Sequence, residues 1–113
     1  MLSRGQRLTG KRDFAAVYTG GKAYVHKLLV LKVRKKDGGQ AARFGFSTSA
    51  KLGKAVVRNR MKRLLRESVH SLAGSVKESG FDAILIARPA ARTANFAEIK
   101  EAVEELLQKA RLV

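Results

Sequence analysis

The side chains best supplied for chemistry in this sequence are cations. Lys54, Arg58, Arg60, Lys62, Arg63 and Arg66 crowd into the stretch KAVVRNRMKRLLRE, residues 54–67, which has no acid before Glu67. Lys51 precedes it in the loop SAKLGKA. Such a cluster neutralises polyanions, and phosphodiesters are the common case. The two histidines, His26 and His70, have no carboxylate or second histidine at a metal-like spacing. Asp13 and Asp37 stand alone in the basic half, Asp37 as turn chemistry, and Ser47 and Ser49 lack a base partner in sequence. The residues therefore point to binding and away from a self-contained nuclease.

Apolar residues interrupt the cations at regular intervals. Successive helix residues rotate by about 100°, so Val57, Met61, Leu64, Leu65, Ser68 and Leu72 fall along one face of a helix predicted over 55–73. Arg58, Lys62 and Arg66 form one ridge at i, i+4, i+8, and Arg60 and Arg63 a second. Like charges four residues apart cost a few tenths of a kcal/mol per pair, and a solvated face usually interleaves Glu. The ridge ends before any Glu, as expected of a face that meets a polyanion. Arg58 and Arg60 are both expected to lie off the apolar face. Gly53 permits a tight turn before the helix. The first backbone N–H groups there, flanked by Lys51 and Lys54, suit a phosphate.

The surrounding elements are predicted as follows. Phe14, Val17 and Tyr18 mark a first helix over 11–19, stopped by Gly20-Gly21; residues 22–26 read as a short strand and 28–35 as a longer one. Asp37-Gly38-Gly39 predicts a hairpin turn, with 42–49 returning as the second hairpin strand. Phe44 and Phe46 share one face of that strand and Arg43, Gly45 and Ser47 the other, where Gly45 lets a neighbour approach the backbone. FDAILIAR, 81–88, is a buried strand ended by Pro89. Asn95 and Glu98 predict a capping box, and Ile99, Val103, Leu106, Leu107 and Ala110 the apolar stripe of a last helix. The order α-β-β-β-α-β-α defines an α+β fold, a small mixed sheet of about four strands with three helices, in one domain over 1–113.

Charge is distributed unevenly. Residues 1–66 hold 18 Lys/Arg against 2 Asp/Glu, whereas 67–113 hold 6 against 7, and the whole chain carries +15. Such a surplus repels itself unless a polyanion neutralises it. An anionic membrane is disfavoured because no bulky apolar residues are left over for an interfacial helix, and no run approaches the ~20 residues of a span. The absence of cysteine excludes disulfides and thiolate zinc sites and suits a reducing compartment. MLSRGQRLTGKRDF lacks an apolar signal core, so a cytoplasmic location is expected. Aromatic rings beside cations hold single-stranded nucleic acid without reading its sequence. Tyr18 is a candidate for that role. Phe14 sits at core spacing, Phe44 and Phe46 read as core, and Phe81 and Phe96, in the neutral half, as core or staple residues.

RFGFSTSAKLGKAVVRNRMKRLLRE, residues 43–67, closely resembles the signature of the bacterial ribonuclease P protein subunit, with Arg58-Asn59-Arg60 as its RNR element. Leu8, Asp13-Phe14, Val17 and Gly21 resemble its N-terminal region, and Ile84 through Pro89 its late strand, so that the resemblance spans roughly 6–111. It implies an accessory subunit of a catalytic RNA that removes the 5′ leader of precursor tRNA, with Mg2+ held mainly by the RNA, no catalytic residue in the protein, and one protein per RNA. It implies a left-handed β-α-β crossover, an exception to the usual hand. It places Lys51, Lys54, Arg58, Asn59, Arg60 and Arg63 against the catalytic RNA. Phe14, Tyr18, Lys32, Lys62 and Arg66 fall in a cleft for the leader. Lys32 stands where the family has a further aromatic, which implies a phosphate contact instead of stacking, and Ala50 stands where the family often has Lys. A ribosomal-type RNA-binding protein without a role in cleavage is the alternative.

Overall fold

The computed structural model describes residues 7–36 and 39–113. Three helices, α1 (Lys11–Gly20), α2 (Ala55–Ser71) and α3 (Phe96–Lys109), accompany four strands, β1 (Lys22–Val25), β2 (Leu29–Lys35), β3 (Arg43–Ser47) and β4 (Phe81–Ala87). Short 3₁₀ turns, Ala50–Leu52 and Pro89–Thr93, precede α2 and α3. The element order is the one expected from the sequence.

The pairing is not. The strands lie in the order β1-β2-β4-β3, with β1–β2 and β2–β4 antiparallel and β3–β4 parallel. The expected hairpin between β2 and β3 does not form, because β4 lies between them; Asp37 and Gly38 of its proposed turn fall outside the described residues. The physical reason lies in β4. Six of its seven residues are buried, so it needs a strand on each side and cover on each face, which only a central position supplies. The chain reaches β3 by passing the start of β4: Lys36 N–H donates to the Gly80 carbonyl at 2.9 Å, Gly80 N–H to Gln40, and Ala42 N–H to Glu78.

One face of the sheet presents Leu29, Leu31, Val33, Phe44, Phe81, Ala83 and Leu85 to the buried stripes of α2 and α3. Phe44 and Phe81 meet edge to face there, ring centres 5.6 Å apart. The other face carries Ile84 and Ile86, covered by Leu8, Phe14 and Val17 from α1 and the segment before it. α3 has the predicted capping box, Asn95 accepting from Glu98 N–H and Glu98 accepting from Asn95 N–H, and its predicted stripe is buried throughout. Phe96 departs from expectation. As the first helical residue it points outward and is 37% exposed.

Candidate nucleic-acid interface

α2 docks as its periodicity requires. Met61, Leu65, Ser68 and Val69 are buried, Leu72 is buried just beyond the helix, and Val57 and Leu64 lie half-buried beside them. Ser68 removes its polarity internally by donating to the Leu64 carbonyl at 2.8 Å. Asn59, Arg63 and Arg66 are exposed, whereas Arg58, Arg60 and Lys62 are half-buried. The two RNR arginines are thus not wholly free of the fold. Arg60 Nη2 donates to the Ala94 carbonyl at 3.1 Å, tying α2 to the entry of α3. Arg58 Nε is shielded from solvent without a hydrogen-bond partner among the described residues.

The entry to α2 contrasts with that of α3. Lys54 occupies the cap position, no side chain caps the helix, and its first turn holds no acid. Its leading N–H groups therefore keep their donor capacity and partial positive charge. Buried Leu52 anchors the preceding turn, Gly53 takes a positive φ of 138°, and exposed Lys51 and Lys54 flank the helix end.

A groove of about 230 Å³ runs between α2, the edge of β3 and the segment before α1, lined by Phe14, Phe44, Phe46, Lys62, Arg66 and residues 7–9. Leu8 N–H donates to the Phe44 carbonyl at 2.9 Å, so that segment is stitched to the β3 edge. The close approach expected at Gly45 is made by Phe14: a Cβ on Gly45 would sit 2.7 Å from its Cζ. Three of the five expected cleft residues, Phe14, Lys62 and Arg66, converge on this groove. Tyr18 lies next to it along α1, its ring 6.3 Å from that of Phe14, and it is 38% exposed. Lys32 reaches Tyr18 from the sheet, its ammonium 5.5 Å over the ring and donating to the Tyr18 carbonyl at 3.1 Å. Arg7, on the groove wall, was not singled out in the sequence; a lone arginine before the first helix carries no local signal.

Sequence reasoning also missed the ionic cluster beneath α1. Arg43 Nε and Nη2 donate to the two carboxylate oxygens of Asp82 at 2.9 and 2.8 Å, Lys36 Nζ lies 2.8 Å from Asp82, and Arg43 Nη1 reaches Asp13 of α1 at 3.3 Å. Asp13, which has no second carboxylate near it in sequence, is thus linked to Asp82 through Arg43. Burial pushes the Asp82 carboxyl up, but hydrogen bonds from Arg43 and Lys36 outweigh it and hold the group below the ordinary carboxylate range. The hydrogen bonds that Arg43 donates to Asp82 raise its own pKa above the ordinary guanidinium value. The available signal was a single acid inside the apolar run FDAILIA, which needs a cationic partner if it is to be buried. Among the described residues no three histidines or carboxylates converge on a possible metal site. His26 pairs with Glu105 at 3.0 Å. No helix among the described residues is long and apolar enough to cross a membrane.

The fold and this surface define a small, strongly basic α+β protein that presents a cation-lined aromatic groove beside an arginine-rich helix. The family model described as Ribonuclease P matches residues 2–111. The ribonuclease P protein component of Symbiobacterium thermophilum is 40% identical over 112 residues, covering 99% of this chain and 96% of that protein. The component of Clostridium kluyveri is 41% identical over 109 residues, covering 94% and 95%. The solved structure of the Staphylococcus aureus RNase P protein superposes with a TM-score of 0.86 at 28% identity, covering 96% of this chain and 98% of that one. That of Thermotoga maritima gives 0.81 at 30% identity, covering 91% and 96%. The chain belongs to the ribonuclease P protein component family.

Proposed function

We propose that this chain serves ribonuclease P by binding the catalytic RNA and the 5′ leader of precursor tRNA, assisting hydrolysis that takes place in the RNA. What carries this reading is the side-by-side placement of two basic surfaces of different character. The uncapped start of α2, with Lys51, Lys54, Arg58, Asn59, Arg60 and Arg63, offers donors and charge without a ring, as a structured RNA backbone requires. The groove offers Phe14 and Phe46 beside Lys62 and Arg66, with Tyr18 and Lys32 alongside, which suits an extended strand whose bases can stack.

Two contributions follow. The +15 chain offsets repulsion between phosphates that are brought together in a folded RNA. Contact with the leader exists in the precursor and vanishes in the mature product, so it favours substrate over product. Mg2+ belongs to the RNA in this scheme. Asp82, beneath the cleft helix, is engaged by Arg43 and Lys36, and Asp13, on that helix, by Arg43, so the chain offers cations where a metal site needs ligands. One protein per RNA in the cytoplasm completes the proposal. It is tested by cleavage of precursor tRNA at low Mg2+ with the RNA alone, the protein alone and both together. Cleavage is expected from the pair only, and activity of the protein alone would overturn the assignment of chemistry to the RNA.

A further inference from the structure

A third basic surface lies at the opposite edge of the sheet from the groove. Lys22 and Tyr24 of the edge strand β1, Lys35 at the end of β2, and Lys109, Ala110 and Arg111 at the end of α3 line a concavity of about 360 Å³. β1 and β3 are the two edges of a four-stranded sheet, about 14 Å apart at ordinary strand spacing. Lys22 and Tyr24 pair with Val33 and Leu31, so they share the α3 side of the sheet, whereas Lys32 and Tyr18 meet on the α1 side. The concavity is therefore separate from both surfaces described above.

Its four cations have no ion-pair partner among the described residues. Lys22 is held 5.5 Å over the Tyr24 ring, which draws it inward along the concavity wall. Arg111 supplies an independent observation. α3 ends in a turn in which Leu112 N–H donates to the Leu107 carbonyl at 2.9 Å, and the residue that makes the turn is Arg111 at φ 59°. Helices ordinarily place glycine there, because a Cβ is strained in the left-handed region. This chain has an arginine at a position where glycine is the ordinary choice, and that arginine lines the concavity together with three lysines.

We propose that this concavity is a further RNA contact, binding backbone phosphates of an RNA segment distinct from the leader and from the segment on α2. The partner's being RNA rests on the function proposed above. A second copy of the chain is disfavoured there by like charge, and a lipid surface by the lack of exposed bulky apolar residues in the wall.

The chain has no cysteine, so single tethered probes are clean. A hydroxyl-radical probe on Gln108→Cys, in the last turn of α3, is compared with one on Glu67→Cys of α2 in the assembled ribonucleoprotein with precursor tRNA. Cuts from both probes, at different RNA positions, are expected. Arg111→Gly is expected to hold or raise the melting temperature of the free protein. It should also weaken RNA assembly about fivefold and reduce its salt slope by about 1. A purely structural role predicts the reverse, a lower melting temperature with unchanged assembly. Cuts from Glu67→Cys alone, or cuts from both with Arg111→Gly assembling normally, would overturn the third contact and leave the function proposed above standing. Silence from both probes would overturn both. Self-association abolished by Arg111→Gly would assign the concavity to a second copy, and retention on anionic vesicles in place of RNA cuts would assign it to a membrane; either overturns the proposal.

Discussion

Arg43 and Asp82 sit directly opposite one another on the parallel strands β3 and β4 and close a two-pronged ion pair at 2.9 and 2.8 Å. Asp82 is almost wholly buried, whereas Arg43 keeps a solvent-facing flank from which it reaches Asp13 of α1. One guanidinium thus joins two strands and the helix that carries Phe14 and Tyr18.

Asp82→Asn is expected to destabilise the fold by ~3 kcal/mol, the low end for breaking a buried pair, because Arg43 and Lys36 lose their counter-charge but Arg43 can still turn to water. Urea unfolding at neutral pH measures it. The folded carboxyl titrates below its ordinary value of 3.8. Its contribution is therefore fully present above about pH 4 and is lost as pH falls through the lower folded value. The wild type should lose stability on acidification below pH 4 more steeply than Asp82→Asn. Parallel curves would show that Asp82 is not the group responsible.

Arg60→Ala and Arg63→Ala separate structure from RNA binding on one helix. Loss of the Arg60 bond to the Ala94 carbonyl should cost about 1 kcal/mol of stability. Exposed Arg63 should cost less than ~0.5 kcal/mol. Both should weaken assembly with the catalytic RNA, and removing one arginine–phosphate pairing should flatten the salt dependence by about 1. Thermal melts beside RNA titrations at several salt concentrations decide it. An Arg63→Ala protein with wild-type affinity and slope would remove that ridge from the RNA face.

Tyr18→Ala tests the cleft. If its exposed ring stacks on a leader base, affinity for precursor tRNA should fall by ~1–3 kcal/mol while affinity for mature tRNA is unchanged. The free protein should melt at nearly the same temperature. Equal weakening of both tRNAs would transfer the leader contact to other residues.

Gly45→Ala tests how closely α1 must sit on the sheet. The new methyl would lie 2.7 Å from Phe14 Cζ and 3.3 Å from Leu8 Cβ, so ring and helix must shift. Overpacking of this kind costs ~1–3 kcal/mol. Because Phe14 lines the groove, precursor affinity should fall with stability, while affinity for the catalytic RNA alone holds. A variant as stable as the wild type would mean that Phe14 has room to move aside.

Much of this molecule was legible along the chain because its signals are local. The buried face of α2, the stripe of α3 and the Asn95–Glu98 box each depend on residues three or four apart, and helical geometry places those together whatever the rest of the chain does. None of the cations of residues 51–66 is fully buried, and Lys51, Lys54, Arg63 and Arg66 are exposed, because burying charge is costly, so a basic face followed from composition and spacing alone. Strand pairing is another matter. A turn-like DGG between two strand-like runs reads as a hairpin, yet the insertion of β4 depends on burying a strand that is apolar on both faces, an energy that exists only when the sheet and both helix layers are assembled. That insertion brings Arg43 to Asp82, 39 residues away, and leaves Gly45 facing Phe14. The same assembly turned Arg60 inward to Ala94, left Phe96 outside the core, and gathered Lys22, Lys35, Lys109 and Arg111 from three separate elements into one concavity. Residue types and helical faces are properties of short segments and can be read from them. Which distant charges meet is set by the packing of the whole sheet, and only the tertiary structure decided it.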